Sequence, residues 1–313
     1  MRPLLVPLAV IAATLACANP SPSTSPAPPP PDAAPVAVDP APPAPTAPAI
    51  DLTVPRDPAL LASRLLDAER AIRDPAVDDA TAAAWGHLQQ RIYRVLADDG
   101  VLAGAVTASI PPALSTEVNL ALTGTRQIGK TVIRPKLDLP DWRIVDPKPA
   151  AELLGYYREA GAAYDLPWTA LASIHLNETR TGRLRGLSDV GAQGPMQFMP
   201  ETWAKYGAGD VENDRDAIFA AAKYLDAMGW HADRRKAIWA YNHSEAYIDA
   251  ILAFAEIMDR DERAYRGLWG WQVYYRTVQG SIWLATGYAE RERIPIEAYC
   301  APRGEPYCPK VHP

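Results

Sequence analysis

Thirteen prolines fall between Pro20 and Pro48, spaced mostly by Ala, Ser and Thr, and no other feature of the 313-residue chain restricts its folding more. Such a stretch cannot bury enough apolar surface to offset the entropy lost on ordering it. It favours extended polyproline II and acts as a semi-rigid stalk, here residues 18–56, with a reach on the order of 100 Å. Folded structure is therefore expected to begin near residue 57.

Ahead of the stalk, Arg2 opens a short positive region and an apolar run follows from Leu4 to Ala16, too short for a comfortable membrane span. Residues 1–17 read as an export signal. The run ends in Thr14-Leu15-Ala16-Cys17, which resembles a bacterial lipoprotein box, although Thr14 stands where an aliphatic residue is usual. Cys17 would then be lipidated and tether the chain to a membrane facing the cell wall or periplasm. Ala16-Cys17-Ala18 also fits ordinary cleavage after Ala18, with secretion. Of the three cysteines, Cys300 and Cys308 lie near Pro and Gly and fit a small disulfide loop in an exported protein, which leaves Cys17 as the odd one. No Cys-x-x-Cys or His-Glu-x-x-His spacing occurs, so neither a metal nor another cofactor is expected.

A net charge of −6 without a long basic run argues against nucleic acid as the partner. Nine Trp and fourteen Tyr against three Phe suit a wet, sugar-facing surface, and equally a core with interface aromatics.

Helical periodicity dominates from residue 57. Leu61, Leu65, Ala68 and Ile72 share one stripe, and Trp85, Leu88, Ile92 and Val95 another. Pro111-Pro112 breaks the chain, and Glu117 to Lys130 has weak periodicity. Pro135, Pro140, Pro147 and Pro149 mark an irregular connection. Residues 57–134 thus read as a helical accessory region, with packing on the next domain as its plain role. From residue 149 the pattern is strongly helical, and 135–262 read as a second domain. The tail, 263–313, carries Trp269, Trp271, Tyr274, Tyr275 and Trp283 in an alternation that allows a short hairpin, either extending a sugar groove or packing on the helices.

Within the second domain Pro167 is placed to open a helix running from Trp168 to Glu178. At 100° per residue, Leu171, Ile174 and Glu178 fall on one apolar face. Desolvation there raises a carboxyl pKa, as a general acid at neutral pH requires. A solvent-pointing glutamate at a helix end is the plain alternative. The loop that follows supplies Gly182, Gly186 and Ser188, then Gly191 and Gly194 for close backbone approach, and Gln197, which both donates and accepts hydrogen bonds.

Taken together, Glu178-Thr179, Ser188, Gly191-Ala192-Gln193-Gly194-Pro195-Met196-Gln197-Phe198-Met199-Pro200, Thr202-Trp203, Tyr206-Gly207 and Ala240-Tyr241-Asn242 resemble the lytic murein transglycosylases with the lysozyme-like SLT domain, over about residues 149–258. Thr179, Pro195-Met196 and Asn242-His243 depart from the usual pattern, and Pro195, Phe198 and His243 look more like a membrane-bound, actinobacterial-like subgroup. The resemblance implies a mainly all-α, lysozyme-like fold acting on peptidoglycan glycan strands. It implies Glu178 as sole acid/base, positioned by Tyr241, with Ser188, Gln193, Gly194, Met196, Gln197 and Asn242 contacting substrate. It further implies cleavage of the β-1,4 bond between N-acetylmuramic acid and N-acetylglucosamine with a 1,6-anhydro product. Hydrolysis of the same bond and glycan binding without catalysis remain open.

Other polar residues invite weaker readings. Asp189 is the nearest alternative second carboxylate, or else a solvated loop residue. His175 shares the side of the helix that carries Glu178 and would tune it or pack in the core. Asp210, Glu212, Asn213, Asp214 and Asp216 lack EF-hand spacing and read as helix capping. His243 would touch substrate or pack beside Tyr241.

Overall fold

A computed structural model describes residues 49–131 and 134–309, so the signal segment, Cys17 and residues 18–48 of the stalk lie outside the described residues. Ile50, Leu52 and Val54 pack against the main core, so folded structure begins earlier than residue 57. The described residues belong to one compact unit. They are mainly helical.

Four helices come first: α1 (Pro58–Arg73), α2 (Asp79–Asp98), α3 (Gly100–Thr107) and α4 (Pro112–Lys130). Asp57, Asp78 and Asp99 cap the first three, each accepting a backbone N–H from its first turn. The weakly periodic stretch from Glu117 becomes part of α4, with Val118, Ala121, Leu122 and Thr125 buried. Two-residue strands β1 (Asp138–Leu139) and β2 (Arg143–Ile144) occupy the proline-rich connection that the sequence marks as irregular. Next come α5 (Ala150–Tyr164), α6 (Trp168–Thr179), the short β3 (Leu184–Arg185), α7 (Pro200–Tyr206), α8 (Asp214–Ala227), α9 (Arg234–Tyr241), α10 (Glu245–Arg260) and α11 (Ala264–Trp269). The chain finishes with a hairpin, β4 (Val273–Thr277) and β5 (Gly280–Leu284), then β6 (Ile294–Pro295) and α12 (Ile296–Cys300).

The boundary drawn at residue 134 separates no cores. Leu61, Leu88 and Leu122 share a single hydrophobic cluster with Leu171, Ile218, Ile251 and Trp271. Helix α4 packs along α10, and α2 packs against α11. The reason lies in small residues. Gly124 of α4 faces the Phe254 ring, where a Cβ would come within 2.7 Å of Cζ. Gly86 of α2 meets the Gly267 carbonyl so closely that a Cβ would sit 2.1 Å from its oxygen. Single glycines inside a helix read as mere propensity costs, and what they gain becomes visible only with the partner in place.

A second, smaller cluster gathers the strands. Leu139, Ile144 and Leu184 pack with Val273, Tyr275, Ile282, Leu284, Ile296 and Tyr299. The strand pairs are β1–β6, β2–β3 and β4–β5, all antiparallel. The carboxyl-terminal extension is thus built on segments from the middle of the chain, and Cys300 and Cys308 are disulfide-bonded at its edge. No helix among the described residues is long and apolar enough to cross a membrane.

Candidate active site

Helix α6 carries Leu171, Ile174 and Leu176 into the core, and one turn later brings Glu178 half-buried to a cleft wall. Burial lifts the Glu178 carboxyl from its ordinary 4.5 to about 7, against the opposing pull of a hydrogen bond from Tyr247 and of the nearby Arg180 charge. The Tyr247 hydroxyl donates to Glu178 Oε1 at 2.5 Å. Tyr247 itself is buried in the first turn of α10, whose N-terminus Ser244 caps.

This corrects the sequence reading, which gives the positioning bond to Tyr241. The Tyr241 hydroxyl instead donates to the Met196 carbonyl at 2.7 Å. Its ring lies 5.9 Å from that of Phe198 and 5.7 Å from that of Tyr224, in an aromatic group that supports the loop. Tyr241 remains near enough for the Glu178 charge to push its phenol pKa further up, beyond what burial does. In sequence, Tyr247 sits on an aliphatic helix face and reads as core. The one hint was a hydroxyl-tipped ring in a first turn beside a Ser cap.

The helix ends in an unusual way. Arg180 and Thr181 both take left-handed backbone conformations, at φ 54° and 58°, although neither is glycine. Each costs about 1–2 kcal/mol. Thr179 offsets part of this. Its buried hydroxyl donates to the Pro195 carbonyl at 2.6 Å and accepts the Gly182 N–H at 3.1 Å. The clasp ties the end of α6 to the Gly-Ala-Gln-Gly-Pro turn. We expect Thr179→Val to lose about 1–3 kcal/mol, because two polar backbone groups lose their partner in a buried place. Urea unfolding would read it, and an unchanged midpoint would discount the clasp.

Several expected substrate contacts have other duties here. Met196 is fully buried in the main core. Gly194 (φ 73°) is required by packing, since a Cβ there would lie 2.1 Å from the Val211 carbonyl oxygen. Gln193 and Phe198 exchange two backbone hydrogen bonds at 2.9 Å. The Gln197 amide donates to the Gly194 carbonyl at 2.9 Å, and the Ser188 hydroxyl accepts the Ala192 N–H at 3.0 Å. These bonds shape the loop from within. None of Ser188, Gln193, Gly194, Met196, Gln197 and Asn242 lines the cleft that holds Glu178.

That cleft, of about 850 Å³, is walled by parts of the chain far apart in sequence. Asn177, Glu178 and Arg180 come from the end of α6, and Asp189 and Val190 from the loop beyond. Arg94, Thr125 and Ile128 come from the amino-terminal helices, and Tyr274, Tyr275 and Arg276 from the hairpin. Residues 57–134, read from sequence as scaffold, thus form a wall of the cleft. Asn177 donates through Nδ2 to the Ser173 carbonyl at 2.7 Å, whereas its buried Oδ1 has no partner among the described residues. Arg94, Asp98, Tyr274 and Ser281 also line a neighbouring cleft of about 1280 Å³, so the grooved surface continues beyond Glu178.

Asp189 pairs with Lys136 and lies 3.7 Å from Arg293, cations that the strand module supplies. His175 is fully buried, where its Nδ1 meets the Tyr157 hydroxyl at 2.8 Å and burial lowers its pKa to about 3. It packs in the core. In the acidic cluster, Asn213 caps α8 by accepting from Arg215 and Asp216, and Asp214 accepts from Arg185 at 2.8 Å. His243 packs edge-on against Trp239 at 5.7 Å. Of the tail aromatics, Tyr274 and Tyr275 reach the cleft, while Trp271 is core and Trp283 stacks on Tyr307 at 4.5 Å.

The mainly helical fold is consistent with a lysozyme-like domain, and Glu178 is a partly desolvated carboxyl at its cleft wall. Residues 168–237, spanning α6 to α9, match the family described as Transglycosylase SLT domain. This similarity supports a peptidoglycan-acting transglycosylase domain within the chain. No curated protein and no solved structure gives a match.

Proposed function

We propose that the chain is a peptidoglycan lytic transglycosylase in which Glu178 acts first as acid and then as base. The observation that carries this reading is the state of Glu178, a carboxyl lifted to about 7 by burial and held by Tyr247 at 2.5 Å inside the cleft. As the acid, Glu178 protonates the oxygen bridging N-acetylmuramic acid and N-acetylglucosamine, and the C1–O bond breaks. The acetamido oxygen of the muramic sugar stabilises positive charge at C1. The Glu178 carboxylate then takes the proton from the 6-hydroxyl of that sugar, and O6 bonds to C1. The 1,6-anhydro ring closes without water, and Glu178 is an acid again.

Asp189 favours a second reading. It borders the same cleft, and a second carboxylate is what a hydrolysing muramidase needs. Its pairing with Lys136 and its nearness to Arg293 engage its oxygens in ion pairs, which favours the single-acid route. Mass analysis of products from purified peptidoglycan separates the readings. Anhydro-muropeptides support the proposal, reducing ends support hydrolysis, and binding without release leaves only a wall-binding protein. Export, with a lipid anchor at Cys17 or secretion after Ala18, belongs to the same proposal because the substrate lies outside the cytoplasm.

A further inference from the structure

Four guanidinium groups line the Glu178 cleft without an ion-pairing carboxylate among the described residues: Arg94, Arg134, Arg180 and Arg276. The hydrogen bonds of Arg94 and Arg180 go to neutral groups, although the Asp98 charge also bears on Arg94 and the Glu178 charge on Arg180. Arg94 donates to the Ser281 hydroxyl at 2.5 Å and lies 4.4 Å over the Tyr274 ring. Arg180 donates to the Leu176 carbonyl of its own helix. Arg276 is exposed on β4, cross-strand from Ser281. The groups lie close enough to act on one another, since the Arg276 charge bears on Arg94 and the Arg94 charge on Arg180. The acidic groups on these walls are Glu178, Asp98 on α2, and Asp189, which already has Lys136. Elsewhere the chain pairs its arginines freely, as with Arg215–Glu159 and Arg260–Glu117. Clustered cations in a concave, partly desolvated surface repel one another and focus a positive field outward, which draws in anions.

Resting on the function proposed above, we infer that this cationic wall receives the carboxylates of the stem peptide carried by the muramic acid residue, so that the enzyme acts on stem-bearing strands. A stripped glycan offers a single lactyl carboxylate on each muramic residue, fewer than the four guanidinium groups of the wall, whereas a stem peptide takes up that carboxyl in an amide and adds several carboxylates of its own, which fit the planar guanidinium fork. Three of the four groups, Arg94, Arg134 and Arg276, lie outside the matched residues 168–237, so this preference would be a property of the whole chain.

The test compares turnover of stem-bearing glycan strands with that of strands stripped of peptide, for the wild type, Arg276→Gln and Arg276→Glu. Arg276 is exposed, so these variants should fold, and thermal unfolding checks it. The ratio of stem-bearing to stripped turnover should fall about tenfold in Arg276→Gln and further in Arg276→Glu, in keeping with loss of one charge-assisted contact. Strands whose stem carboxylates are amidated should lose the advantage with the wild type. A wild-type ratio in both variants, or full preference for amidated stems, overturns the inference. Binding of both strand types to the Glu178→Gln chain, followed by calorimetry with and without the Arg276 changes, reads the same preference without turnover. Should the wild type cleave neither strand while Arg276→Glu still abolishes preferential binding, the catalytic reading fails and the stem-peptide site stands.

Discussion

Glu178→Gln releases no anhydro-muropeptides and yet is the more stable chain at alkaline pH. The rate should fall about a thousandfold or more, because a single group serves in both the acid and the base step. Stability follows from the same burial. In the folded chain the carboxyl titrates near 7, above its ordinary 4.5. Between those values the folded state keeps a proton that the unfolded state releases, so stability falls as pH rises, and the loss is complete above about 7. Glutamine has no charge to desolvate and still accepts from Tyr247. Its advantage should be absent near about pH 4 and reach about 1–3 kcal/mol near about pH 8. Thermal unfolding at both pH values checks this, and a pH-independent difference would sink the desolvation argument. Wild-type kcat/KM should fall on its alkaline side through about 7, since the free enzyme must start protonated.

Tyr247→Phe and Tyr241→Phe should separate cleanly. The Tyr247 bond favours the ionised carboxylate and so holds the Glu178 pKa down. Without it the carboxyl rises further and the alkaline limb of the rate profile moves to higher pH. Loss of a charge-assisted bond that also fixes the acid should cut kcat about 10–100-fold. Tyr241→Phe removes the bond to the Met196 carbonyl and loosens the loop, at about 1 kcal/mol of stability, with the alkaline limb in place. A limb that moves in Tyr241→Phe and stays in Tyr247→Phe would return the positioning role to Tyr241.

Glu178 stands out in the sequence because two local regularities coincide on it. The 3.6-residue period puts it on the apolar face of α6, and the glycine-rich loop after it is not what a surface helix end calls for. Tyr247 is hidden for a related reason. Its helix buries Ile248, Ile251 and Phe254, so periodicity assigns it to the core, which is where most of its ring lies. Only its hydroxyl reaches Glu178, across 69 positions of sequence. The loop residues have structural duties that the sequence does not show. Gln197, Ser188 and Gly194 look like groups offered to a ligand, but a tight loop consumes such donors, acceptors and glycines to hold its own shape.

The sequence by itself determined the predominance of helix and the placement of one glutamate on an apolar face, and it allowed the hairpin found in the tail. Periodicity, proline content and turn residues act over a few positions, where local sterics and burial suffice. Only the tertiary structure decided which hydroxyl meets the carboxyl, that the amino-terminal helices share the main core, and that Arg94 and Arg276 face the same cleft as Glu178. Those facts depend on contacts between residues far apart in the chain. Glycine against ring at Gly124 and Phe254, or backbone against backbone at Gly86 and Gly267, sets how near the helices come. No local pattern encodes that distance, and the distance decides which side chains share a wall with the acid.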